Sequence, residues 1–170
     1  MHRRIPFVVA LILLTAFTVA CSHTSVRHLA RNPFQLDQPK QLSLKFWKFS
    51  YDTKASQDSF EVSGTAIPLV KNIPDWAVHV DELWLEAYVA DAKGFVLARD
   101  LFILDPAKFE GLDKSSGVPF VFRLKPEKLV GGPLYISFGY RMTLSGNVPD
   151  ENGGSKKKVF FGNESAVTRF

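Results

Sequence analysis

Residues 134–144 constrain this chain more than any other stretch. Leu134, Ile136, Phe138, Tyr140, Met142 and Leu144 alternate without a break with Tyr135, Ser137, Gly139, Arg141 and Thr143. Successive side chains of a β-strand point to opposite faces, so one parity reads as the buried face and the other as the polar face. A one-residue slip would turn six large apolar side chains into water, so both the strand and its register are set locally. A strand apolar on one side and polar on the other must cover its apolar side with a second layer.

Period-two runs recur along the chain. Leu42, Leu44 and Phe46 share one parity, and Trp47, Phe49 and Tyr51 take the other. This predicts a strand over 41–52, bent or bulged where the apolar face switches. Further strands are expected at 59–66, 80–91, 95–104, 118–124 and around 159–161. Between 80–91 and 95–104, Asp91-Ala92-Lys93-Gly94 reads as a hairpin turn. Asp105-Pro106 reads as a cap followed by the first residue of a single helical turn ending near Gly111, and Lys125–Leu129 as another single turn. Residues 145–157 read as a polar loop. About seven strands separated by turn signals predict an all-β, antiparallel domain, a sandwich or a small barrel.

The other informative feature is Cys21, the chain's one cysteine. Arg3 and Arg4 precede an apolar stretch, Ile5 to Ala20, and Thr18-Val19-Ala20 leads into Cys21-Ser22. The stretch is short of the ~20 residues a spanning helix wants and carries Pro6, so a secretory leader is expected rather than a transmembrane span. With no second cysteine, an internal disulfide is excluded, and an exported domain must be held by apolar burial. An aromatic content of 13% supplies the material.

The Thr-Val-Ala-Cys-Ser run resembles the lipobox of bacterial lipoprotein precursors, with Thr18 where that family most often has Leu. The resemblance implies cleavage before Cys21, a diacylglycerol on its sulfur and usually an acyl chain, such as palmitate, on its amino group. It implies a membrane partner reached through lipid on Cys21. Ser22 in place of Asp implies the outer membrane, periplasmic face, where a cell has two membranes. The expected organisation is a signal peptide at 1–20, a lipidated flexible tether at 21–40 and a β-sandwich domain at 41–170. Losing Arg3 and Arg4 changes the balance of 21 basic and 17 acidic residues to 19 − 17 = +2, so charge does not argue for nucleic acid.

A second resemblance covers residues 59–144. Val62-Ser63-Gly64, Leu85 to Ala98 through the Asp91-x-x-Gly94 turn, and Pro119-Phe120-Val121-Phe122 follow the order of features in FxLYD-type immunoglobulin-like envelope domains, without the Phe-x-Leu-Tyr-Asp motif itself. It implies an immunoglobulin-like sandwich with a binding or scaffolding role.

Residue types that carry chemistry are sparse. His79 is the lone histidine within the domain, so no metal set is expected, and no cofactor fingerprint occurs. No G-x-S-x-G elbow is present. Asp81-Glu82 and Asp150-Glu151 are adjacent, and neighbours on a strand point to opposite faces. A non-enzyme is expected. The terminal Phe170 is a feature of outer-membrane barrels, but too few strands are long enough to span. Two segments stand out for protein binding. One is the proline-bounded loop with Ile73 and Trp76, where the tryptophan is either an interface anchor or a plug on the sandwich. The other is Lys156, Lys157 and Lys158, which either touch anionic head groups or an acidic partner, or keep the following strand soluble. The leading expectation is a lipid-anchored envelope protein acting as a binding or assembly module. The alternative is a small-ligand or glycan carrier with a cleft lined by Trp84, Tyr88 and Tyr135.

Overall fold

The computed structural model describes residues 23–106, 117–126, 131–151 and 153–169. Cys21, the leader, Phe170 and most of the two expected helical turns lie outside these residues. The described chain forms eleven strands and one short 3-10 turn at Val70–Asn72. The strands are β1 (His23–Ser25), β2 (Asn32–Pro33), β3 (Lys40–Ser43), β4 (Trp47–Ala55), β5 (Phe60–Pro68), β6 (His79–Ala90), β7 (Val96–Leu104), β8 (Val118–Leu124), β9 (Tyr135–Pro149), β10 (Ser155–Glu164) and β11 (Val167–Arg169).

Two antiparallel sheets pack face to face. One has the order β3-β4-β5-β8; the other runs β10-β9-β6-β7, with β2 pairing the start of β9. The alternation at 134–144 lies in the centre of the second sheet. Ile136, Phe138, Tyr140, Met142 and Leu144 are buried with Leu83, Leu85, Ala87 and Val89 of β6. Opposite them stand Trp47, Phe49, Tyr51, Val62, Phe120 and Phe122 of the first sheet. Phe49 and Phe138 stack at 4.3 Å with their planes 5° apart. The Trp47 indole N–H finds its acceptor in Met142 Sδ at 3.4 Å. The antiparallel sandwich expected from periodicity is the fold observed.

Three expectations are corrected. The strand expected at 41–52 is a hairpin. Leu44 N–H bonds to Trp47 O at 2.8 Å, and Leu42 pairs with Phe49. The parity switch at Phe46/Trp47 is therefore a chain reversal, which brings both apolar sets back to the same core. The polar loop expected at 145–157 is mostly strand. β9 continues to Pro149 and pairs with β10 through Pro149↔Ser155. Polar residues occur there because this part of the hairpin runs past the first residues of β6 into solvent.

The third correction is the largest. The described part of the expected flexible tether, 23–40, is folded onto the domain. Ser25 bridges to Phe95, Val26 N–H bonds to Gly94 O at 2.9 Å, and β1 pairs with β11. Val26 and Leu29 are buried against Tyr88 and Ala90 on the outer face of the β6–β9 sheet. Ser137 Oγ donates to Ala30 O at 2.8 Å, and Phe34 packs edge-on to Phe60 at 4.6 Å. The polar parity of β9 is thus buried at one end. Ser137 and Gly139 have no exposure to spare because a strap of chain lies across them. A β-carbon on Gly139 would stand 2.9 Å from the Tyr88 hydroxyl and 3.0 Å from Glu164 O.

Candidate functional site

The hairpin end of the sandwich collects the residues singled out from sequence, but not as one patch. Lys156, Lys157 and Lys158 are exposed on β10 and pair across with Val148, Asn147 and Gly146. Strand alternation splits them between faces. Lys157 Nζ lies 3.4 Å from Asp81 Oδ2 on the outer face. Lys158 Nζ stands 5.9 Å from the centre of the Trp76 ring on the other. The Trp76 loop is held there by close backbone approach. A β-carbon on Gly146 would lie 1.6 Å from Trp76 O, so no other residue fits. Trp76 itself is half-buried and packs on the core. Ile73 is 6% exposed within the core cluster. It is therefore corrected from a candidate contact to a packing residue.

The neighbouring carboxylates also differ from expectation. The register of β6 against β9 shifts between Val80 and Glu82, a β-bulge that turns Asp81 and Glu82 to one face. Ser145 Oγ donates to Asp81 Oδ1 at 2.8 Å, and Thr143 Oγ1 to Glu82 Oε2 at 3.2 Å. Arg141 Nε lies 3.7 Å from Glu82 and its guanidinium 5.1 Å over Trp84. Each acid thus has its own cation and its own hydroxyl donor. Neither is set up to give and take a proton with the other. A shallow groove of about 250 Å3 lies beside them, lined by His79, Asp81, Ser145, Gly146, Asn147 and Lys157. Among the described residues no group of three or more His, Cys, Asp or Glu converges.

The feature that sequence reasoning missed is the outer face of β10. Phe161 is 72% exposed and Val159 45%, while Phe160 between them turns inward onto Phe46 at 5.3 Å. Val159-Phe160-Phe161 is apolar throughout, so the sequence carries no parity signal there. The missing information is which of two parities meets the core. β10 is also the outermost strand of its sheet. Its last residues are closed off by Glu164, whose Oε2 accepts from Lys45 N–H at 2.8 Å and from the Tyr140 hydroxyl at 3.0 Å. From Ser155 to Phe161 no strand pairs with its far edge among the described residues. The same outer face continues through Thr143 and Trp84 to Ile103, itself 56% exposed.

The aromatic cleft expected for a ligand carrier is not assembled. Trp84 and Tyr88 lie on the outer face of β6, opposite in parity to Leu83, Leu85, Ala87 and Val89 in the core. Tyr88 is sealed under the N-terminal strap, bonded to Glu86 and accepting from Ala166 N–H at 3.1 Å. Burial pushes its phenol well above the usual range. Tyr135 lies under the Arg31 guanidinium at 5.5 Å. The space between the sheets is filled by aromatic rings, one pair stacked and the others tilted against it. No family model, no curated protein and no solved structure matches the chain.

Proposed function

We propose that this chain is a lipid-anchored envelope protein. Cys21 carries the anchor, and the sandwich acts as a non-catalytic binding or assembly module. The outer-membrane address implied by Ser22 makes the periplasmic face of that membrane its favoured location. The observation that carries the binding role is the open edge of β10 with Phe161 exposed on it. An unpaired edge presents N–H and C=O groups to a partner strand, and an exposed aromatic supplies a pocket-filling side chain. Lys156, Lys157 and Lys158 precede it on the same strand and discourage uncontrolled self-pairing. The partner is a protein that adds a segment along this edge, with the lysines favouring an acidic flank.

A photo-activatable residue at position 161, compared with one at Val121 on the other sheet, tests this. Val121 is also exposed, at 53%. In the native envelope, position 161 should give a discrete cross-linked protein band that position 121 does not. Identical cross-linking from both positions would remove the β10 edge as the binding surface.

A further inference from the structure

We propose that the basic end of the sandwich around His23 rests on an anionic lipid surface, with the β9–β10 hairpin pointing away from it. This rests on the reading of Cys21 as the anchor.

The first described residue is His23, already paired with Arg169 in β1–β11. Only Ser22 lies between the acylated Cys21 and the folded domain, and the two residue steps from Cys21 to His23 span at most about 7 Å. A 20-residue tether would leave the orientation free; two residues do not. Whatever surrounds His23 must sit at the head groups.

That surroundings is basic. A groove of about 480 Å3 is lined by His23, Thr24, Phe95 to Arg99 and Lys125, with no carboxylate in its walls among the described residues. Arg27 reaches over the Phe95 ring at 4.9 Å and donates from Nε to Lys93 O. Arg31 stands behind Gly94, with its Nη1 buried and lacking a hydrogen-bond partner among the described residues. Arg27, Lys93, Arg99 and Lys125 are all exposed. Of the described acids, Asp58 pairs with Lys125, and Asp91 Oδ1 accepts from Phe95 N–H at 2.8 Å.

The hairpin lysines are at the other end. Val89, opposite Ala98 in the groove wall, pairs with Ile136 near the start of β9, and the turn after Pro149 closes its far end. At about 3.4 Å per residue, that is roughly 40 Å along the strand. Surface potential decays within a Debye length of about 8 Å at physiological salt. Lys156, Lys157 and Lys158 therefore lie beyond the reach of the head groups, which leaves the β10 edge clear for a protein.

The test uses residues 21–170 without acyl chains. Every described contact is retained, because all described residues lie at 23 or beyond. Binding to phosphatidylglycerol/phosphatidylethanolamine vesicles is compared with binding to phosphatidylcholine vesicles by co-sedimentation. One variant carries Lys93→Gln, Arg99→Gln and Lys125→Gln; the other carries Lys156→Gln, Lys157→Gln and Lys158→Gln. Each basic residue at a membrane surface is worth about fivefold in binding. The first variant should lose on the order of a hundredfold on anionic vesicles, and the second less than about twofold. Thermal melting of both should match the parent, since all six side chains are exposed. Failure of the parent to prefer anionic vesicles, or equal losses in both variants, overturns the proposal. Because no acyl chain is present, that failure is separate from failure of the Cys21 anchor, which is read on the native protein.

Discussion

The Tyr88 ring lies across Gly139 on the next strand, its hydroxyl 2.9 Å from where a β-carbon on residue 139 would stand. The same hydroxyl accepts the Ala166 N–H at 3.1 Å. An aromatic laid over a strand glycine and tied to the chain's last segment explains why this half of the sheet's outer face is dry. Gly139→Ala should therefore cost about 1–3 kcal/mol by overpacking. Tyr88→Phe, which removes only the hydroxyl, should cost about 1 kcal/mol. Urea unfolding of the two variants measures both, and the glycine change should be the worse.

The strap is structural, and its removal should show it. Leu29 is 6% exposed and Val26 fully buried. Leu29→Ala should lower stability by about 2–4 kcal/mol through lost transfer energy and a cavity. A flexible tether in the same place would show no change in the unfolding midpoint.

Alkaline pH should unfold the domain in a defined direction. Burial pushes the phenols of Tyr51, Tyr88 and Tyr140 above the ordinary 10.0, and donation to Glu164 raises Tyr140 further. Below pH 10 the folded and unfolded states hold the same protons on these groups, so their contribution is fully present. As pH rises past 10 the unfolded chain loses protons that the folded one keeps, and stability falls. The limiting slope is about 1.4 kcal/mol per pH unit for each tyrosine. Tyrosinate absorbance should rise together with loss of near-UV dichroism, and the slope should diminish in Tyr140→Phe.

Phe161 should behave oppositely to the core aromatics. At 72% exposure, Phe161→Ser should change stability by less than about 0.5 kcal/mol. Ile73→Ala, by contrast, should destabilise by about 2–4 kcal/mol because Ile73 is part of the core. Thermal melts separate a binding residue from a packing one.

How much of this was legible in the sequence depends on the range of the signal. The β9 alternation, the Asp91–Gly94 turn and the β6–β7 hairpin are local, and the structure has them where periodicity put them. The β3–β4 reversal was visible as a parity switch at Trp47, but a bulge and a turn give the same switch. The strap was illegible. Val26 and Leu29 are isolated apolar residues in a polar stretch, and nothing local says that Tyr88, about sixty positions on, needs a cover. The bulge at Asp81 has no composition signature, so its effect on the two carboxylates appears only when β6 is paired with β9. Exposure of Phe161 followed from a register that Val159-Phe160-Phe161 does not encode.

The anchor at position 21 is the claim on which location, orientation and partner all depend. Mass spectrometry of the N-terminal peptide of protein purified from its native host tests it directly. The expected result is a chain beginning at Cys21, heavier by a diacylglycerol on sulfur and an acyl group on the new amine. A free thiol at Cys21, or a peptide that still includes Arg3 and Arg4, would contradict it.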